Sequence, residues 1–313
     1  MSPAHAPSAV PAAEDHGGDG GRVAAAMGLD PSDVLDLSAS MNPVAPDPVP
    51  VLTRHLEATR RYPDPRCATA ALAETLEIDR SRLLLTNGGS EAIALVAGEM
   101  RRGWVEEPDF SLYRRHLESL DEGGPRFRSN PHNPTGVLAA PDDHAGVWDE
   151  AFYPLATGRW TRGDADRGSV VIGSLTKVLA CPGLRLGYVL APDAELVERL
   201  ARRQPGWSVN GLAAEALPAL LADVDLPAWV ASISELRCQL VDLLLRHGLR
   251  PQPSAANYLL VAGAAGLRDR LAPRGVVVRD CASFGLADHV RIAVPDAGGL
   301  DRLATALEQA DNR

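Results

Sequence analysis

The stretch Val170-Val171-Ile172-Gly173-Ser174-Leu175-Thr176-Lys177 decides how this chain is read. Its opening run is apolar without polar alternation, the pattern of a strand buried on both faces in an α/β sheet. Two hydroxyl residues and a lysine follow at the strand's end. At such a position an amine is partly desolvated, which lowers its pKa and frees the lone pair. That lysine is singular: of 31 Lys plus Arg in 313 residues, Lys177 is the one lysine and all the rest are arginine. A coding bias toward Arg accounts for the arginines wherever a plain positive charge suffices, but it does not account for Lys177. Arginine stays protonated and is a poor nucleophile, whereas a lysine amine can form a Schiff base.

Three further constellations lie around it. Leu83-Leu84-Leu85-Thr86-Asn87-Gly88-Gly89-Ser90-Glu91-Ala92-Ile93 reads as strand, glycine turn, N-cap serine and helix. Such a turn aims free backbone N–H groups and the helix dipole at one point, an anion site suited to phosphate. Taken alone it is equally well a capped glycine turn. Ser174 and Arg185, the latter in Pro182-Gly183-Leu184-Arg185-Leu186-Gly187-Tyr188, suit the same phosphate. Ser129-Asn130-Pro131-His132-Asn133-Pro134-Thr135-Gly136 holds two Asn-Pro steps, which fix an Asn amide rigidly enough to donate to a phenolate or carboxylate oxygen. In Trp148-Asp149-Glu150-Ala151-Phe152 a carboxylate at a strand end can pair with a protonated ring nitrogen, although an Asp-Glu pair alone is usually solvated. Together the four call for a cofactor with an aldehyde, a phosphate tail, a phenolic oxygen and a pyridine nitrogen, which is pyridoxal 5'-phosphate.

The totals set the frame. The length fits one large α/β domain or a large and a small one. A formal net charge of −10 and the lack of any Lys/Arg block argue against a nucleic-acid partner. The four cysteines, Cys67, Cys181, Cys238 and Cys281, are dispersed and suggest neither disulfides nor a metal site, so the expected compartment is the reducing cytoplasm. No apolar run approaches the ~20 residues of a membrane helix. Residues 1–15 read as a disordered leader. Helices are expected over Gly20–Gly28, Val51–Arg60, Ala68–Leu76, Ser90–Met100 and Ser111–Leu120, and strands over Val34–Leu37, Arg82–Thr86, Trp104–Glu106, Ser169–Gly173 and Gly187–Leu190. Beyond Pro192 come helices Ala194–Arg203, Leu212–Leu221, Ala228–Arg246, Leu267–Leu271 and Leu300–Ala310, with strands Asn257–Val261, Gly275–Arg279 and His289–Val294. The expected architecture is a large domain, residues 16–205, with a mostly parallel sheet covered by helices, and a small α+β domain, residues 206–313.

In this order, N-G-G-S-E, N-P-H-N-P-T-G, D-E-A-F and S-L-T-K…G-L-R-L-G-Y resemble the fold-type I pyridoxal-phosphate enzymes of the class I/II aminotransferase group, from about His16 to the C-terminus. Within it, His16-Gly17-Gly18-Asp19, Leu37-Ser38-Ala39-Ser40-Met41-Asn42-Pro43, Arg61-Tyr62-Pro63-Asp64-Pro65 and Val278-Arg279-Asp280-Cys281-Ala282-Ser283-Phe284 look most like the threonine-phosphate decarboxylase branch of cobalamin synthesis. The histidinol-phosphate aminotransferase branch is the near relative. The resemblance implies Lys177 as the Schiff-base residue and Asp149 as the partner of the ring nitrogen. Gly89, Ser90, Ser174 and Arg185 would hold the phosphate, and Asn133 would donate to the phenolic oxygen. Phe110 would stack on the ring with Tyr113 close by. Tyr62 would reach the phosphate of a second subunit, so a homodimer with shared active sites is implied. His16, Asn42, Arg279 and Arg291 would bind the substrate.

The middle departs from the family. Between Tyr113 and Asn133 stand one helix and the polar Asp121–Arg128, a helix is lacking between Gly136 and Asp149, and only Gly146-Val147-Trp148 leads into Asp149. Pro295 follows Val294 where a further arginine is common. The expected activity is decarboxylation of an O-phosphorylated amino acid such as threonine phosphate. The alternative is transamination of a phosphorylated or polar amine, and a third reading is an inactive cofactor-binding homologue.

Overall fold

The computed structural model describes residues 9–311. Its strands are β1 (Leu35–Leu37), β2 (Leu83–Asn87), β3 (Arg102–Val105), β4 (Ser119–Leu120), β5 (Arg126–Ser129), β6 (Val147–Asp149), β7 (Val170–Ser174), β8 (Leu186–Leu190), β9 (Arg250–Pro251), β10 (Tyr258–Ala262), β11 (Val276–Asp280) and β12 (Val290–Ala293). The chain forms two compact units. The larger comprises Val44–Asn133 and Val137–Ala231, and the smaller comprises the chain through Pro43, Pro134–Gly136 and Ser232 onward.

The larger unit is built on a sheet of order β2-β8-β7-β6-β5-β3-β4. Strands β3 to β7 run parallel, and β8 is antiparallel to both β7 and β2. Both faces are buried, and the strands divide their side chains between them with the period of two that a pleat imposes. Trp148, Val171, Leu186, Tyr188 and Leu190 enter one apolar cluster with helices Arg66–Leu76 and Gly211–Ala222. Val147, Val170, Ile172 and Val189 enter another with helix Gly88–Met100. The smaller unit has the sheet β1-β11-β12-β10-β9, where β1 pairs parallel with β11 and the other pairings are antiparallel. Leu240, Leu244, Leu303 and Leu307 cover it from helices Leu226–Arg246 and Ala297–Asp311.

Several expectations are corrected. The helix over Ser111–Leu120 stops at Leu112–His116, because Leu117 turns extended (ψ 136°) and feeds β4 beside β3. The polar stretch before Ser129 contains β5, so the sheet is not interrupted there. Residues 137–146 contain no helix, as expected. The units divide at Ala231/Ser232 and not near residue 205, because helix Gly211–Ala222 packs Leu217 into the same cluster as Leu72. The segment 16–43 belongs to the smaller unit, since β1 pairs with β11. Residues 1–8 of the expected leader lie outside the described residues. Its remainder is tied down: the carbonyls of Pro11 and Ala12 accept from Arg268 and Arg22, and Val10 packs beside Val23 and Ala272.

Candidate active site

β7 ends at Ser174, and the one-turn helix Leu175–Val178 carries Lys177, half-buried, with its Nζ 5.9 Å from the centre of the Phe152 ring. The approach is crowded by design of the sequence. A Cβ on Gly173 would lie 2.0 Å from the Tyr188 ring of β8, so only glycine lets that buried ring lie across β7.

Asp149 ends β6, in register with Ser129 of β5 and Ile172 of β7. All three residues of β6 are buried, and the Arg128 and Arg162 guanidiniums lie against the Trp148 ring at 5.6 and 5.0 Å from its centre. The Tyr113 hydroxyl donates to Asp149 Oδ2 at 2.9 Å and the Ala151 N–H to Oδ1 at 2.9 Å. Burial nevertheless pushes the Asp149 carboxyl up to about 6, against those two hydrogen bonds and the charge of Lys177. A buried carboxylate held in this state is suited to a cationic partner.

The glycine turn also differs from expectation. The helix begins at Gly88, with Asn87 in the N-cap position and no side-chain cap. Ser90 is therefore not the cap but an exposed first-turn residue, because the positive φ of Gly88 (78°) turns the chain into the helix two residues earlier. A Cβ on Gly88 would meet Arg185 Nη2 at 2.6 Å, one on Gly187 would meet the Gly88 backbone at 2.5 Å, and one on Gly89 would touch Ser174 Cβ at 3.5 Å. Gly88, Gly89, Ser174 and Arg185 are thus brought together at the N-terminus of a 13-residue helix. Free N–H groups, a hydroxyl and a guanidinium at one point make an anion site.

Asn133 is buried, and its N–H donates to Ser129 Oγ at 2.7 Å. Ser129 in turn gives its Oγ–H and N–H to Asp109 at 2.6 and 3.0 Å. This chain from Asp109 through Ser129 to Asn133 was not apparent in the sequence, where only Phe110 of the Pro-Asp-Phe run carried a role. The Phe110 and Tyr113 rings meet edge-on at 5.8 Å. Tyr62 is 79% exposed, its ring 4.6 Å from that of Trp207.

The four residues assigned to the substrate lie in the smaller unit. Arg279 and Arg291 are buried and directly paired across β11 and β12. Burial, then the neighbouring Arg291 charge, pulls the Arg279 guanidinium down to about 10, and burial lowers Arg291 too. Arg279 donates to the carbonyls of Glu14 (2.8 Å) and Asp15 and to Ser283 Oγ (2.9 Å), while Arg291 donates to the Ser38 carbonyl at 3.3 Å. These bonds place the segment that carries His16. Gly17 runs so close to Ser38 that a Cβ would lie 2.1 Å from its carbonyl oxygen, which explains the glycine after His16. Asn42 is buried, and the carbonyls of Ser40 and Met41 before it accept from Asn257 Nδ2 at 3.0 and 2.9 Å.

Three buried acids of the larger unit set a pH dependence. Burial raises Asp109 and Asp149 to about 6 and Glu150 to about 7. An acid whose folded pKa exceeds its unfolded value holds more protons when folded. Its contribution to stability is full below about pH 4 and is lost as pH rises through the folded pKa. Carboxylates shifted downward, such as Asp143, act the opposite way only below about pH 4, and His116 and His132, which burial lowers, act the opposite way below about pH 6.5. The thermal midpoint of the cofactor-free protein is therefore expected to fall between about pH 6.5 and 8, where the histidines are neutral in both states and Glu150 still sheds its proton. A midpoint that rises across that window in a scanning-calorimetry series contradicts the burial of these groups.

Sheet, lysine, buried carboxylate and anion turn define a class. The chain belongs to the aminotransferase class I and II family, whose model matches residues 105–307. It is 32% identical to the threonine-phosphate decarboxylase of Salmonella typhimurium, covering 93% of this chain and 95% of that one. It is 30% identical to a histidinol-phosphate aminotransferase of Halobacterium salinarum, covering 92% and 93%. The alignment with the Salmonella protein spans 356 positions against 313 residues here, so that relative carries stretches this chain lacks. The fold matches the histidinol-phosphate aminotransferase of Sinorhizobium meliloti, solved in complex with pyridoxal-5'-phosphate, with a TM-score of 0.81 at 19% identity over 93% and 94% of the two chains. The chain is thus a fold-type I enzyme, and the anion turn, the buried Asp149 and the single lysine fit the cofactor of this family, pyridoxal phosphate.

Proposed function

We propose that this enzyme decarboxylates an O-phosphorylated amino acid of the threonine-phosphate kind, as a cytoplasmic homodimer in the synthesis of cobalamin. The observation that carries the substrate class is the pairing of Arg279 and Arg291 on adjacent strands. Two buried guanidiniums side by side repel one another, and their charge is best met by a ligand with two anionic groups, a phosphate and a carboxylate. The 32% identity to a threonine-phosphate decarboxylase over 93% of the chain supports the same reading. Arg279 already gives two donors to the N-terminal segment, so part of its role is to hold that segment and His16 in place.

Gly88, Gly89, Ser90, Ser174 and Arg185 hold the cofactor phosphate, Asn133 donates to the phenolic oxygen, and Asp149 balances the protonated ring nitrogen. Phe110 gives the ring an apolar face, and Tyr62 serves the site of a second copy. When bound, the cofactor supplies an aldehyde for Lys177 and an electron sink for the pair released at the substrate α-carbon. Lys177 would hold the cofactor through its amine and would be the group that moves the proton at that carbon. Asp109, through Ser129, fixes the direction of Asn133.

Threonine phosphate, supplied with and without a 2-oxo acid, tests the reading. Carbon dioxide release without the oxo acid is the expected result. Conversion of the cofactor to its amine form, reversed by an oxo acid, would replace the decarboxylase with a transaminase. If threonine phosphate gives neither carbon dioxide nor the amine form, it is not the substrate.

A further inference from the structure

Trp207 lies in Gln204-Pro205-Gly206-Trp207-Ser208, after helix Ala194–Arg203. It is 66% exposed and has a φ of +57°. A bulky side chain in the left-handed region is strained, and such strain persists only where its surroundings over-determine the backbone. One carboxylate does so here. Glu91, in the first turn of the helix that opens with Gly88 and Gly89, accepts from Ser208 Oγ on one side of Trp207 and from Gln204 Nε2 on the other, the latter at 3.1 Å. It also accepts from the Asn87 N–H at 2.7 Å, and Gln204 Nε2 donates to the Leu85 carbonyl at 2.8 Å. The loop is therefore clamped to the anion turn itself. From that clamp the Trp207 ring lies on Tyr62, with centroids 4.6 Å apart and planes at 34°.

We propose that Trp207, held by Glu91, is a positioning residue that presents the Tyr62 hydroxyl to the cofactor site of a second copy of this chain. The inference rests on the role assigned to Tyr62 above. An exposed tyrosine samples several rotamers, and ordering it on contact costs free energy. A fixed aromatic shelf removes much of that cost beforehand. Because the shelf is tied to Glu91, the same turn that builds one anion site sets the height at which Tyr62 is offered to another.

The test is the dissociation constant of pyridoxal phosphate from the full-length protein, measured with the thermal midpoint. Trp207→Gly relieves the backbone strain and deletes the shelf. It is expected to leave the midpoint unchanged or higher while weakening cofactor binding about three- to tenfold. Trp207→Phe should restore binding, and Tyr62→Phe should weaken it by about tenfold or more. The double variant Tyr62→Phe/Trp207→Gly should be no weaker than Tyr62→Phe alone. Parent-like affinity of Trp207→Gly beside a weakened Tyr62→Phe overturns the positioning role and leaves Tyr62 in place. Additive losses in the double variant overturn it too. Parent-like affinity of Tyr62→Phe overturns both readings.

Discussion

Lys177→Arg is expected to lower turnover by on the order of 10⁴-fold or more, with Lys177→Ala no better. The arginine keeps the positive charge and nearly the length, so the loss isolates the need for an amine that can shed its proton. The surroundings make this a clean experiment. Lys177 follows a fully buried strand, and the helix Leu175–Val178 that carries it has Leu175, Thr176 and Val178 buried around it. No other lysine exists in the chain to take over. Borohydride treatment of the yellow parent protein should fix the cofactor on the peptide that contains Lys177, and both variants should be colourless. A yellow, active Lys177→Arg would remove the residue from the chemistry, whatever the rest of the site does.

What could be read from the sequence, and what could not, follows from how each segment is buried. β7 and β8 are apolar on both faces, and their runs Val170–Ser174 and Leu186–Leu190 stand out as uninterrupted. β5 did not, for a specific reason. In Arg126-Phe127-Arg128-Ser129 only Phe127 and Ser129 are buried, and the alternate positions are arginines. Those arginines lie over Trp104 at 5.1 Å and Trp148 at 5.6 Å, so their stems and guanidiniums cover aromatic rings. That work is apolar, but the residue type registers as polar. The smaller sheet hid its own organisation differently. β1 lies more than two hundred residues from its partner β11, and no local pattern announces so distant a pairing.

The site divides in the same way. Lys177, Asn133 and Asp149 stand out in the sequence as candidates, because their motifs combine residue types suited to one chemistry. The hydrogen bonds that aim them do not, because a supporting hydrogen bond leaves no spacing behind; Tyr113 reads as a neighbour of the ring and not of Asp149. Asp109 reaches Ser129 across twenty residues, Tyr113 reaches Asp149 across thirty-six, and Glu91 reaches Ser208 across more than a hundred. Each is an ordinary polar residue until folding brings its partner near.

Asp149→Asn is the second large effect, and it separates function from stability by sign. Asn keeps the size, and its Oδ1 can accept from the Ala151 N–H while its Nδ2 donates to the Tyr113 hydroxyl oxygen, but it carries no charge. In the proposed role, the ring nitrogen of the cofactor would then lack its counter-charge in a dry site, where such a charge is worth far more than in water. Turnover is expected to fall about 10²- to 10⁴-fold, with substrate affinity much less affected. Stability of the cofactor-free protein should move the other way. The carboxyl is raised from 3.8 to about 6 by burial, so keeping it ionised at pH 8 costs the folded chain at most ~3 kcal/mol, which Asn does not incur. Below about pH 4 the parent acid is protonated in both states and this difference vanishes. A cofactor-free Asp149→Asn that is more stable than the parent at pH 8, equal at pH 4 and nearly inactive when loaded is the expected triad of results. A variant less stable than the parent at both pH values would mean that the carboxylate serves the fold, and the role assigned to it at the ring nitrogen would fall.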